Sequence, residues 1–311
     1  MKTDQRYVLG VDIGGTHISS ALVDMNTNCI LEETYASNLV ANMEPQETIL
    51  QSWGDTLNKS IKAADRKSIR GVAFAMPGPF NYKKGIALYP EGFKYGELHG
   101  IHIESALQSI LVEKLPMRFL NDATSFAVGE AWLSHNGMKE KQLCITLGTG
   151  LGAGFTRKGI PVVHDASVPP EGSLWNLPYR EGIADDYFST RGFITAYQNL
   201  TGIEVNGVRE LANHYETDSH AKQVFDAFGE NLGNFLSPWL KRFDADTLII
   251  GGNIAKAYAH FENTLENTMK AHGLKLSVRI AKHSEKGAII GSTLLFNEVF
   301  WNKVKKALPK Y

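Results

Sequence analysis

Cysteine is scarce in this chain: Cys29 and Cys144 are the only two in 311 residues. Neither belongs to a Cys-x-Cys or Cys-x-x-Cys pair, so no structural zinc is expected. Both lie in strand-like segments far apart in sequence, which reads as two buried free thiols in a reducing compartment. An excess of one charge is missing as well. Lysine and arginine total 32 against 33 aspartates and glutamates, a net charge of −1, whereas nucleic-acid binding calls for a clearly basic face. No apolar run approaches the roughly 20 residues that span a bilayer. Met1–Arg6 brings no apolar leader ahead of the first strand, so no signal peptide is expected. These absences point to a cytoplasmic protein whose partners are neither a membrane nor nucleic acid.

What is present is a globular composition, 43% hydrophobic and 21% charged, in a chain long enough for two domains. The chain is organised around Val8–Asp24, which reads as a strand, a tight turn carrying Asp12-Ile13-Gly14-Gly15-Thr16, and a second strand ending on Asp24. Gly14 and Gly15 permit backbone angles that side chains forbid, and such a turn presents bare N–H groups to a phosphate. Asp12 at the strand end can hold a hydrated Mg²⁺, and Thr16 can donate a hydroxyl hydrogen bond. A plain hairpin would need the same two glycines; Asp12, Thr16 and Asp24 around the turn weigh against that blander reading.

Cys29–Thr34 is predicted as a third strand, and Pro45 opens a helix on which Ile49, Trp53, Leu57 and Ile61 recur at four-residue steps. Ile69–Met76 is a strand leading into Pro77-Gly78-Pro79. Residues 80–101 lack periodicity and read as a long loop, of the kind that tends to be functional. A helix follows from Ile103, then a short strand from Pro116 to Leu120 that stops at Asn121-Asp122, then a helix over 123–132. The second half repeats the theme. Gln142–Leu147 runs into the glycine-rich Gly148–Gly154, a hairpin turns at Lys158-Gly159, and Val168–Gly182 is irregular. The helix over 221–243 carries a core stripe of Val224, Phe228, Leu232, Phe235, Trp239 and Phe243, with Gly229 and Gly233 open to a close neighbour. Thr247–Ile250 ends on Gly251-Gly252, Leu276–Ala281 is a strand, and a last helix starts near Lys286. A glycine turn after the first strand of each half is an echo consistent with duplication.

Glycine turns at strand ends lie where α/β sheets bind ligands. Gly148–Ala153 also fits the dinucleotide fingerprint, but Phe155-Thr156-Arg157 continues in β-type residues where that motif needs a helix. Asp122 before a helix reads first as an N-cap. A capping carboxylate at a strand end still faces the crevice, where it can take the proton of a hydroxyl attacking a phosphoryl group, with Asn121 orienting that hydroxyl.

The first turn resembles the first phosphate motif of the actin-like ATPase superfamily, and the whole set resembles the ROK family of bacterial sugar kinases and related repressors. Asp12–Thr16 through Ala21–Asp24 is similar to its first phosphate motif, Gly71–Pro79 to its sugar loop, and Leu120–Glu130 to its catalytic segment. Leu147–Gly154 resembles its second phosphate motif, Ile249–Ala255 its adenosine segment, and Gly287–Gly291 its closing helix. The resemblance implies an α/β chain of two-domain actin-like (ribonuclease H-like) fold with a cleft between domains. It would divide into residues 1–122, 123–290 and a terminal helix over 291–311 that packs back on the first domain. It implies ATP-dependent phosphorylation of a hexose or modified hexose, with Mg²⁺ held by Asp12 through water. Asp122 would be the general base and Asn121, Pro77 and Gly78 would meet the sugar. Gly14, Gly15 and Thr16 would line the phosphates, with Gly148, Thr149 and Gly150 opposite and Gly251 and Gly252 near the adenine. Family members are commonly homodimers or homotetramers.

Two departures stand out. Kinases of this family carry Gly-Glu-x-Gly-His, whose Glu and His hold the sugar; the gapless counterpart here is Gly172–Pro178, with Ser173 and Asn176 in those places. Asn176 still offers hydrogen bonds, Glu171 lies two residues upstream, and the family's next sugar-contacting Glu appears as Asp185. The cysteine-rich zinc site of many members has no counterpart. Two other readings stay open: a sugar-sensing repressor, for which the first phosphate motif starts too close to Met1 to leave room for a helix-turn-helix, and a catalytically silent sugar binder.

Overall fold

The computed structural model describes residues 6–65, 67–134, 137–282 and 284–308; the expected leader-free segment Met1–Gln5 and the last residues of the lysine-rich end lie outside them. The chain runs β1 (Tyr7–Ile13), β2 (His17–Asp24), β3 (Cys29–Ile30), β4 (Ala36–Leu39), α1 (Gln46–Ala63) and β5 (Ile69–Met76). It continues through β6 (Phe80–Asn81), β7 (Ile86–Ala87), α2 (Ile103–Gln108), β8 (Met117–Asn121) and α3 (Asp122–Leu133). Then come β9 (Lys141–Leu147), β10 (Leu151–Arg157), β11 (Ile160–Pro161), β12 (Pro178–Tyr179) and β13 (Gly182–Ile183). The helices α4 (Ala184–Tyr187), α5 (Thr190–Thr201), α6 (Val208–Asn213) and α7 (Ser219–Phe243) follow, and β14 (Thr247–Gly251), α8 (Glu262–Ala271), β15 (Ser277–Ile280), α9 (Ser284–Thr293) and α10 (Glu298–Val304) complete it. Among the described residues no helix is long and apolar enough to cross a membrane.

The chain divides into two compact units, one of residues 1–138, 159–161 and 283–311, the other of 139–158 and 162–282. In the first, β1 and β2 form the antiparallel hairpin, and β1, β5 and β8 run parallel in the order β3-β2-β1-β5-β8, with β4 on β2. β5 is buried along nearly its whole length, as a strand covered on both faces must be. α1 lays Ile49, Leu50, Trp53, Leu57 and Ile61 into the core. The break expected after Asp122 falls inside this unit, because α3 is held to α9 through glycines. A Cβ at Gly129 would stand 2.7 Å from the carbonyl carbon of Gly287, and one at Gly291 would stand 2.7 Å from the Gly129 nitrogen. α9 in turn rests on β1 at Gly10, where a Cβ would come within 2.6 Å of the Ile289 oxygen.

The hairpin explains two residues differently from the sequence reading. Asp24 is bound by Arg6 through both carboxylate oxygens and accepts the Asn26 N–H at 3.0 Å. The Arg6 hydrogen bonds hold its carboxyl below the usual range, so Asp24 fixes the strand end. Cys29 is exposed and only Cys144 is buried: β3 is a two-residue edge strand that leaves the sheet for a 3₁₀ turn at Glu32–Thr34. The single last helix expected from Lys286 is broken by a 3₁₀ turn at Leu294–Phe296 and by Asn297, which caps α10 by accepting the Phe300 N–H.

The second unit repeats the plan. β10 pairs antiparallel with β9, and β9, β14 and β15 run parallel in the order β10-β9-β14-β15. α7 covers this sheet with Val224, Phe228, Leu232, Phe235 and Phe243 buried, while Gly229 and Gly233 admit α8: a Cβ at Gly229 would lie 2.6 Å from the Phe261 oxygen. Only Gly148–Gly150 of the glycine-rich run is turn. Leu151–Arg157 is strand, which removes the helix that a dinucleotide fingerprint requires.

Candidate active site

Parallel register gathers the first unit's candidate residues. Asp12 sits opposite Ala75, Ala75 opposite Leu120, and Met76 opposite Asn121. The ends of three neighbouring strands therefore present Asp12, Pro77-Gly78 and Asn121-Asp122 along one sheet edge, where α/β folds bind ligands. Three tyrosines from the 80–101 loop fasten these ends. Tyr82 Oη donates to Met76 O at 3.1 Å, Tyr89 Oη to Pro77 O at 3.0 Å, and Tyr95 Oη to Gly14 O at 2.7 Å.

Asn121, not Asp122, caps α3: its Oδ1 accepts the Thr124 N–H at 3.0 Å. Its Nδ2 donates to Tyr82 Oη at 3.2 Å and to Asp122 Oδ1 at 2.9 Å. Asn121 thus orients the aspartate, and its amide is engaged within the fold. Asp122 takes a second hydrogen bond on Oδ1 from the Ala123 N–H at 2.8 Å. Burial pushes its carboxyl above the ordinary carboxylate value, against the lowering effect of these hydrogen bonds. Tyr89 is pushed well up, by burial first and then by Tyr82, Tyr95 and Asp122. Tyr95 is raised by burial and by Asp12. The tyrosine belt therefore stands in the fields of both carboxylates.

The first glycine turn is closed by the Gly14 N–H donating to His17 O at 2.8 Å and the Val40 N–H to Thr16 O at 2.9 Å. Asn42 Nδ2 donates to Gly15 O. Thr16 is exposed, its hydroxyl 2.8 Å from His17 Nδ1.

In the second unit, Gly251 lies opposite Thr146, so Gly251-Gly252 and Gly148–Gly150 share one edge of that sheet. Gly252 holds φ +85°, and a Cβ there would meet the Leu147 backbone; only glycine fits. Thr149 is exposed, and Gly148 O accepts from the Thr190 N–H at 2.8 Å and Thr190 Oγ1 at 3.0 Å. Asp185 is built into this turn: Oδ1 accepts the Leu151 N–H at 2.6 Å and Oδ2 meets Arg191 at 3.2 Å. A side chain at Gly150 would displace it, since a Cβ would stand 2.8 Å from Oδ1. The residue expected to touch sugar thus braces a glycine turn. Glu171, at φ +58°, is half-buried, and Trp175 and Asn176 are exposed on the loop that follows.

The sequence reading named the 80–101 loop as functional but none of its side chains. Tyr82, Tyr89, Tyr95, Asn42 and the Thr190–Arg191 pair escaped it. Three tyrosines within 14 residues of an aperiodic loop were the available signal, since buried tyrosine hydroxyls need partners.

The ROK family model matches residues 8–173 and 176–299; the break falls at Leu174-Trp175, inside the loop that departs from the family pattern. The N-acetyl-D-glucosamine kinase of Haemophilus influenzae is 26% identical over 92% of this chain and 98% of its own length. The ROK hexokinase of Thermus thermophilus superposes with a TM-score of 0.75 at 19% identity, over 94% of this chain and 99% of that one. The ROK glucokinase of Streptomyces griseus, solved with glucose and AMPPNP, gives 0.72 at 20% identity over the same shares. The fold is that of the actin-like ATPases, and the chain belongs to the ROK family.

Proposed function

We propose that this protein transfers the γ-phosphoryl group of ATP to a hydroxyl of a hexose or modified hexose, with Asp122 as general base. The observation that carries the reading is the shared strand edge of Asp12, Pro77-Gly78 and Asp122, with Asp122 pushed toward a stronger base by burial. A carboxylate of raised basicity is suited to accept a hydroxyl proton as the oxygen attacks phosphorus. Phosphoryl transfer otherwise asks for positioning and charge neutralisation, which the two glycine turns supply as phosphate cradles. In this reading Gly14, Gly15 and Thr16 are contacts for the nucleotide's phosphates, as are Gly148, Thr149 and Gly150, and Gly251-Gly252 is a contact for the adenine.

Mg²⁺ fits the donor set. It keeps most of its water and asks the protein for one or two carboxylates beside the substrate phosphates, and Asp12 provides one at the end of β1. When bound, the ion neutralises phosphate charge. Glu171 and Asn176 remain the proposed sugar contacts on the altered loop; Asp185 enters as the brace of the phosphate turn. Relatives act on N-acetyl-D-glucosamine or carry glucose, which sets the panel to be tried.

The test is ADP release with Mg-ATP across hexoses, N-acetylhexosamines and ketohexoses. At least one sugar is expected to drive turnover above the sugar-free rate; silence across the panel would favour a binding protein without catalysis. A finer test concerns Tyr82. Tyr82→Phe removes the hydroxyl joining Asn121 to Met76 and is expected to lower kcat roughly tenfold, with the melting temperature within about 2 °C of wild type. An unchanged kcat would show that Asn121 and Asp122 are oriented without it.

A further inference from the structure

Resting on the kinase reading above, we infer that Lys94 is a phosphate ligand of the first glycine turn. Its ammonium lies on the turn itself. A Cβ built at Gly15 would stand 2.9 Å from Lys94 Nζ, 3.7 Å from Cε and 3.9 Å from Cδ, so the side chain lies across the glycine. Gly15 does not take the left-handed backbone angle expected of it; what the missing side chain supplies is room for the lysine.

The segment holding Lys94 is fastened to the same turn twice, once through Asn42 and once directly. The Tyr95 N–H donates to Asn42 O at 2.7 Å, Asn42 Nδ2 donates to Gly15 O, and Tyr95 Oη donates to Gly14 O at 2.7 Å. Tyr95 takes φ +61°, a left-handed conformation uncommon for a tyrosine, and its buried ring stacks edge-on against Trp53 at 5.4 Å. Strain held in place by packing beside a candidate site is what positioning of a neighbour looks like. Pro90–Gly96 closes tightly on itself, since a Cβ at Gly96 would lie 2.7 Å from Pro90 O.

Lys94 is exposed, and among the described residues no carboxylate lies within ion-pair distance of it. The Gly15 and Thr16 N–H groups meet no backbone acceptor among those residues either. An unpaired ammonium above two open N–H donors is a site for a polyanion, and lysine serves phosphates as a point charge without needing a fixed fork. Lysine in this position would neutralise the nucleotide's phosphates from the protein side, complementing a cation carried by the nucleotide.

The experiment compares wild type with Lys94→Met, Lys94→Arg and Gly15→Ala. AMPPNP binding is followed by calorimetry with Mg²⁺ present, and steady-state kinetics use the best sugar from the panel. Lys94→Met is expected to weaken AMPPNP binding about 10-fold or more and to lower kcat/KM for ATP roughly 100-fold, with KM for the sugar unchanged. Lys94→Arg should recover most of the binding. Gly15→Ala, which pushes only the flexible end of Lys94, should fold normally and resemble Lys94→Met. Methionine at 94 with wild-type AMPPNP affinity and wild-type kcat/KM overturns the role of Lys94 while leaving the kinase reading intact. A wild type that binds AMPPNP with Lys94-dependent affinity but turns over no sugar upholds the phosphate site and sinks the kinase reading. A wild type that binds no AMPPNP sinks both.

Discussion

Asp122→Asn is expected to abolish sugar-dependent ADP formation, lowering kcat by roughly 10³-fold, while the sugar's Kd shifts by less than about threefold. Asparagine keeps the two hydrogen bonds that Asp122 Oδ1 accepts, from Ala123 and Asn121, so the cap of α3 and the strand edge stay in place. What is lost is the basic oxygen. The pH dependence carries a second signature. Burial raises the Asp122 pKa above its ordinary 3.8, so the acid limb of kcat/KM in the wild type should lie above that value, and the variant should lose it. Stability moves the other way. A carboxyl whose folded pKa is raised binds its proton more tightly in the native state; its favourable contribution is complete below pH 3.8 and is lost as pH rises through the folded pKa. At neutral pH the charged form opposes folding, so Asp122→Asn should melt no lower than wild type and its advantage should vanish in acid. A variant that keeps a tenth of wild-type turnover would remove Asp122 from the role of base.

The second large effect is structural. Gly129→Ala and Gly291→Ala are each expected to cost about 3 kcal/mol or more of stability, or to prevent soluble expression. A methyl at Gly129 would stand 2.7 Å from the Gly287 carbonyl carbon and 3.1 Å from its Cα, and at Gly291 2.9 Å from the Ser125 carbonyl carbon. These neighbours are backbone, which cannot swing aside as a side chain can. Any relief requires α3 and α9 to separate, and α9 also seats on β1 at Gly10. Since α3 begins at Asp122, its displacement should reach turnover too, where misplacement by about 1 Å can cost 100-fold. Urea denaturation followed by circular dichroism measures the loss; a shift under 1 kcal/mol would show that the crossing has slack.

The sequence determined the local grammar of this protein. Alternating and continuous apolar runs placed β1, β2, β5, β9 and β14 nearly to the residue, and Pro45 marked the start of α1, because strand and helix periodicities are written in neighbours a few positions apart. The order of glycine turns, Asn121-Asp122 and the Gly251-Gly252 pair was enough to point to the family. Three matters were settled only by tertiary structure. The unit boundary moved past Asp122 because α3 is held by Gly287 and Gly291, residues more than 150 positions away. The partners of the polar side chains came from the fold: Asp24 is held by Arg6, Asp185 by Leu151 and Arg191, and α3 is capped by Asn121. Lys94 reached Gly15 because a buried tyrosine in a left-handed bend carries the chain back over the first turn. A residue type and its spacing declare what chemistry a side chain can do. Which of its lone pairs and charges are left over for a ligand depends on contacts between distant segments, and those exist only once the chain has folded.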